Sequence, residues 1–134
     1  MTPSADDLVD RARQRIERTR PAELAAVASD GGLIVDIRPA AQRAEEGELP
    51  GALVIERNVL EWRLDPEGSH RLPEATTFDR PVVVVCSEGY ASSLAADSLR
   101  ELGYHRASDL IGGYRAWHSW ARSGATAPGA GGGR

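Results

Sequence analysis

One cysteine in 134 residues, Cys86, stands where a thiol can react. It ends the run Val82-Val83-Val84-Val85, whose β-branched apolar side chains suit a strand buried on both faces of a parallel sheet. Small and polar residues follow, Ser87-Glu88-Gly89-Tyr90-Ala91, and Ser92 to Leu102 then has helical spacing with an apolar face at Leu94, Ala95, Leu99 and Leu102. Strand, tight loop and helix start therefore surround the thiol. Successive backbone N–H groups of such a loop, together with the first turn of the helix, form a cradle that favours an anion. The thiolate is the nucleophilic form of cysteine, so the cradle suits nucleophilic chemistry. A lone cysteine is more often an inert core residue. Its position at the carboxyl end of a buried strand, where open α/β sheets place their ligands, favours the reactive reading.

The whole chain narrows the class. Its length suits one domain, and 41% hydrophobic with 27% charged residues is the balance of a soluble globular protein. A net charge of −4 argues against nucleic-acid binding, which needs a basic face. A single cysteine excludes an intramolecular disulfide and a cysteine-rich metal site, and His70, His105 and His118 are scattered without metal-ligand spacing. No metal or cofactor is implied, and the histidines are expected at the surface. No apolar run reaches membrane-spanning length, and Met1 to Asp7 is acidic rather than a basic signal region, so cytoplasmic residence is the default expectation.

Several elements must position the thiol. Ser4 or Asp6 can cap a first helix through Leu8, Val9, Ala12 and Ile16 to about Thr19, with its arginines on a solvated face. Pro21 opens a second helix, which Gly31 and Gly32 close. Leu33-Ile34-Val35 reads as a buried strand leaving through Asp36-Ile37-Arg38, either a salt-bridged strand end or polar groups aimed at a pocket. Pro39 starts a short helix ended by Gly47, and Leu53-Val54-Ile55 is a brief strand. Val59, Leu60, Trp62 and Leu64 are the expected anchors of a polar stretch to Thr77. Leu110-Ile111 reads as the last strand, followed by a helix with Tyr114, Trp117 and Trp120, the two tryptophans packing in the core. Short apolar strands alternating with helices predict an α/β domain with a mainly parallel central sheet flanked by helices.

Four stretches, in order, resemble the rhodanese (sulfurtransferase) family: Asp36-Ile37-Arg38, Gly47-Glu48-Leu49-Pro50-Gly51-Ala52, the six-residue loop Cys86 to Ala91, and Leu110-Ile111-Gly112-Gly113-Tyr114-Arg115-Ala116-Trp117. The resemblance implies a three-layer rhodanese-like domain over residues 21–122; the helical pattern before it reads as an N-terminal helix extension (1–20), and the Gly/Ala/Pro composition after it as a disordered tail (123–134). It implies that Cys86 carries a sulfane sulfur as a persulfide from a small donor, such as thiosulfate or a persulfide, to an acceptor such as a thiol, cyanide or a protein sulfur carrier. The backbone of Ser87, Glu88, Gly89, Tyr90, Ala91 and Ser92 would hold the charge, with Asp36 in structural support. The family loop often carries a basic residue that attracts dianionic thiosulfate; here none is present, and Glu88 adds a negative charge. Within a Debye length of ~8 Å that charge weakens dianion binding. Arg38 and Arg63 are the candidate cations from outside the loop.

Two other readings are open to a cysteine loop. A phosphatase needs arginine six positions after the cysteine to clamp the phosphoryl group, and that position is Ser92. Arsenate reduction by an intramolecular resolving step needs a second cysteine. A rhodanese-like relay or regulatory binding module with little turnover on thiosulfate is the alternative that remains. Tyr90 could wall the pocket mouth toward an organic persulfide or thiol, or anchor the loop.

Overall fold

Residues 2–124 are described by the computed structural model of the chain. In chain order the elements are α1 (Ala5–Arg15), β1 (Glu17–Thr19), a 3₁₀ turn into α2 (Leu24–Ser29), β2 (Leu33–Asp36), α3 (Ala40–Glu46), β3 (Leu53–Val54), a second 3₁₀ turn into α4 (Leu60–Leu64), β4 (Val82–Val85), α5 (Ala91–Leu102), β5 (Ala107–Leu110) and α6 (Gly113–Arg122). All five strands are parallel, in the order β1-β5-β4-β2-β3.

The valine run takes the centre because every face and edge of it can be satisfied there. β2 and β5 pair with its two edges. Val82 and Val84 pack with Leu60, Leu64, Ala95 and Leu99 on one face, and Val83 and Val85 with Leu24, Leu110 and Tyr114 on the other. This is the alternation that makes a two-sided sheet and three layers. After β2 the chain moves outward to β3 and then crosses back to β4, so the order reverses beside the carboxyl ends of β2 and β4. Asp36 pairs in register with Val85, which brings Arg38 and Cys86 to that crevice.

The structure departs from the sequence-based expectation at both ends of the sheet. The first helix, capped by Ser4 with a reciprocal Asp7 bond, stops at Arg15 rather than Thr19, and Glu17 to Thr19 become an edge strand beside β5. The partner strand is Ala107–Leu110, not Leu110-Ile111, and it buries Ser108 and Asp109. Buried polar groups need partners. The Thr19 and Ser108 hydroxyls bond each other at 2.5 Å, and Asp109 is enclosed by donors described below. In α5 the covered face is Ser92, Ser93, Ala95, Ala96 and Leu99, while Leu94 points outward. Of the four expected anchors after β3, Leu60 and Leu64 are buried one helical turn apart; Val59 is exposed and so is Trp62, at 61%. Trp117 packs against the second core from partial exposure, and Trp120 lies in a shallow apolar groove with Leu24, Leu49 and Pro50. The expected disordered tail lies, beyond Gly124, outside the described residues. Among the described residues no helix is long and apolar enough to cross a membrane.

Tyr104 ties the long segment after α4 to the core. Its ring is fully buried, meets Phe78 edge-on at 5.0 Å, and its hydroxyl donates to the Leu64 carbonyl at 2.5 Å. Tyr104→Phe leaves that carbonyl unpaired in the interior and should cost about 1–2 kcal/mol. Urea denaturation of the two proteins checks this, and equal midpoints and slopes would contradict it.

Candidate active site

The loop that follows β4 turns backbone N–H groups onto the cysteine. Gly89 N donates to Cys86 Sγ at 3.2 Å and Ser92 N, in the first turn of α5, donates at 3.3 Å. The cysteine is a free thiol and 8% exposed. Gly89 has a φ of +90°, and a Cβ on it would come within 2.8 Å of Gly112 N, so both its conformation and its packing require glycine. The loop rests backbone to backbone on the start of α6. A Cβ on Gly113 would lie 2.6 Å from the Cys86 and Ser87 carbonyl oxygens, which instead accept from Tyr114 N at 2.8 Å and Arg115 N at 3.1 Å.

A buried ionic chain reaches the loop from β2. Arg38 forks onto Asp36, with Nη2 at 2.7 Å and Nε at 3.0 Å from the two carboxylate oxygens, and donates to the Gly47 carbonyl at 2.9 Å. Its guanidinium lies 4.0 Å from the Tyr114 ring centroid, and Nη1 reaches Glu46 at 3.2 Å. Glu46 in turn accepts from Ser87 Oγ at 2.6 Å and from Arg115 Nε at 3.0 Å. Desolvation pushes the Glu46 carboxyl up, but hydrogen bonds from Ser87, Arg115 and Arg38 outweigh it and hold the group below its ordinary value.

Arg38 is thus placed differently from the expectation that it meets substrate. It is 1% exposed and its donors go to Asp36, Glu46 and Gly47, so it supports the loop from behind through Glu46 and Ser87. Of the two sequence readings of Asp36-Ile37-Arg38, the salt-bridged strand end is the one the structure adopts. Arg63, the other candidate cation, donates to the His70 carbonyl at 2.6 Å in the segment after α4. The arginines that do touch the loop are Arg13, Arg18 and Arg115. Arg13 and Arg18 come from the first 20 residues, where the α1 arginines were expected to face solvent; Arg15 is also engaged, forked onto Asp97 of α5. Glu88 is exposed and pairs with Arg115 at 3.2 Å. Tyr90 is exposed, carries the Arg13 guanidinium 5.4 Å from its ring centroid, and with Asp6, Val9 and Asp10 lines a cleft of about 490 Å³. Ala91 opens α5. His70 and His105 are exposed, while His118 is half-buried and stacks on Tyr114 at 5.6 Å.

A parallel three-layer domain with a cysteine at the carboxyl end of its central strand, cradled by N–H groups, defines a class of sulfur-handling and phosphate-handling loops. The comparisons resolve the class: the rhodanese-like domain model matches residues 20–119, and the chain belongs to that family. Thiosulfate sulfurtransferase GlpE of Shewanella oneidensis is 36% identical over 85 residues, which is 63% of this chain and 74% of the relative. The adenylyltransferase and sulfurtransferase UBA4 of Candida albicans is 33% identical over 85 residues, or 63% of this chain, and the match spans only 19% of that much longer protein. Among solved structures, a Rhodopseudomonas palustris protein described as of unknown function and a possible tyrosine phosphatase superposes with a TM-score of 0.80 at 27% identity, covering 90% of this chain and 93% of that one. The human single-domain sulfurtransferase TSTD1 superposes with a TM-score of 0.63 at 27% identity, covering 76% and 95%.

Glu46 gives the site an acid limit. A carboxyl whose folded value is depressed contributes stability above its unfolded value, here the ordinary 4.5, and loses it as pH falls through the lower folded value. Glu46→Gln should therefore be less stable than wild type near neutrality, and the gap should narrow on acidification below pH 4.5. Denaturation at several pH values checks this; a gap independent of pH would rule it out.

Proposed function

We propose that the protein is a sulfurtransferase that carries sulfane sulfur on Cys86. The observation that supports this most directly is the pair of backbone N–H groups, from Gly89 and Ser92, aimed at Sγ within a family loop. In the first half-reaction the Cys86 thiolate attacks the outer sulfur of a donor persulfide, R–S–S⁻. A Cys86–S–S⁻ persulfide forms and R–S⁻ departs; with thiosulfate the departing group is sulfite. In the second, an acceptor thiolate attacks the outer sulfur, takes it as its own persulfide, and returns the Cys86 thiolate. No electrons are gained or lost overall, so neither a cofactor nor an external oxidant is needed. The loop from Ser87 to Ser92 supplies the fixed dipoles that hold the terminal sulfur's charge. The acceptor is a small thiol or a thiol on a protein sulfur carrier.

The electrostatics favour a singly charged persulfide over thiosulfate. Arg38 and Arg115 face three carboxylates, Asp36, Glu46 and Glu88, in one linked cluster, which leaves one negative charge uncompensated beside the loop. Arg13 and Arg18 are turned onto Gly89 and Asp109. A phosphatase reading lacks its clamp. Ser92 holds the sixth position after Cys86, and its hydroxyl is directed onto Asp109 at 2.8 Å.

Mass spectrometry after exposure to a small persulfide or thiosulfate should show one added sulfur, removable by cyanide or a thiol and absent from Cys86→Ser. A wild type that gains none, or a variant that gains as much, refutes the sulfurtransferase reading. Glu88→Arg should improve thiosulfate use by lowering KM several-fold, on the order of one unit charge reversed within a Debye length. An unchanged or higher KM in a folded variant would refute the electrostatic account of donor choice.

A further inference from the structure

Residues 2–19 lie before the stretch that the family model matches, yet they hold the reactive loop. Arg13, on α1, donates through Nη2 to the Gly89 carbonyl at 2.8 Å and through Nε to Ser93 Oγ at 3.0 Å. Arg18, on β1, forks onto Asp109 at 2.8 and 3.3 Å and reaches the same Gly89 carbonyl at 3.4 Å. Asp109 is wholly buried and accepts the Ser92 and Ser93 hydroxyls, each at 2.8 Å. Two arginines from the N-terminal segment therefore fix one loop carbonyl directly and the first turn of α5 through a single carboxylate.

The consequence for the thiol follows from peptide geometry. In a trans peptide the carbonyl and the N–H point in opposite directions. Drawing the Gly89 carbonyl toward α1 and β1 turns the Tyr90 N–H away from them and fixes the Gly89 unit, whose own N–H lies 3.2 Å from Sγ. Anchoring Ser92 and Ser93 on Asp109 fixes the turn whose Ser92 N–H lies 3.3 Å from Sγ.

Building on the reading of Cys86 as the sulfur-carrying nucleophile, we propose that Arg13, seconded by Arg18, is a positioning residue for it: the α1–β1 segment sets the reactivity of the thiol by orienting the Gly89–Tyr90 peptide and the start of α5. Arg13 reaches no sulfur atom and acts through the backbone it holds.

Alkylation of Cys86 by iodoacetamide in the full chain, followed across pH, tests this. It needs no sulfur donor, so a wild type that alkylates but is never persulfidated refutes sulfur transfer and leaves this test intact. Arg13→Gln should slow alkylation about threefold to tenfold at neutral pH, since the thiolate is the reacting form and the N–H groups that hold its charge lose their anchor. That deficit should close as pH rises and the thiol ionises in both proteins. Arg15→Gln breaks the neighbouring Arg15–Asp97 pair on the same helix without touching the loop, and should alkylate as wild type does. Arg13→Lys keeps the charge but loses the fork and should fall between wild type and Arg13→Gln; it carries the test alone if Arg13→Gln does not fold. The proposal is overturned by a wild-type rate in Arg13→Gln, by a deficit that persists at every pH, by an equal effect of Arg15→Gln, or, where it stands alone, by a wild-type rate in Arg13→Lys.

Discussion

A loop that turns its N–H groups inward onto a sulfur must turn its carbonyls outward, and each of those needs a donor. That constraint organises the domain around β4. The Cys86 and Ser87 carbonyls are met by the first free N–H groups of α6, the Gly89 carbonyl by Arg13 and Arg18, and the Tyr90 carbonyl by Ser93 N. Two parts of the chain distant from the loop in sequence thus converge on one short turn. The glycines at 89 and 113 belong to the same solution, since the loop and the α6 start touch through backbone atoms where no Cβ fits.

Buried charge is the second means of holding this geometry. Arg38 with Asp36 and Glu46, and Asp109 with Arg18, are ionic groups that a hydrophobic cluster of equal volume could replace with little loss of stability. What apolar side chains could not supply is direction. Asp109 presents oxygens to Ser92, Ser93 and Arg18, and Glu46 presents them to Ser87, Arg38 and Arg115. Each carboxylate fixes several donors in one arrangement. Hydrophobic burial supplies the bulk of the folding free energy, and the ionic clusters select the conformation of the loop.

The central part of the fold was legible because its signals are local. Four valines, a cysteine, a tight loop and a helical pattern mark β4, the loop and α5, and the paired strand β2 reads from Leu33-Ile34-Val35. The β1–β5 edge was not legible. Ala107-Ser108-Asp109-Leu110 lacks an apolar strand pattern, and as a buried strand it relies on Thr19 and Arg18, some 90 positions away, and on Ser92 and Ser93 to satisfy its hydroxyl and carboxylate. The same non-locality hid Arg13 and Arg18. On a helical wheel they belong to a solvated arginine face, and only the packing of α1 along α5 and the pairing of β1 with β5 show what they reach. Arg38 was open to two readings, a salt-bridged strand end and contact with substrate, and only the folded chain shows the three acceptors and the aromatic face that enclose it.

The pairing of β1 with β5 also bears on how the protein is made. The Arg18–Asp109 link spans 91 positions, so β1 cannot complete its pairing until β5 has been synthesised. At about 5–20 residues per second, β2 and its neighbours have seconds to collapse before β5 is present. A nascent chain therefore passes through a stage in which the loop after β4 has been synthesised while Asp109, the partner of Arg18, has not. The buried carboxylate that ties β1 to the start of α5 is thus among the later contacts that the domain can make.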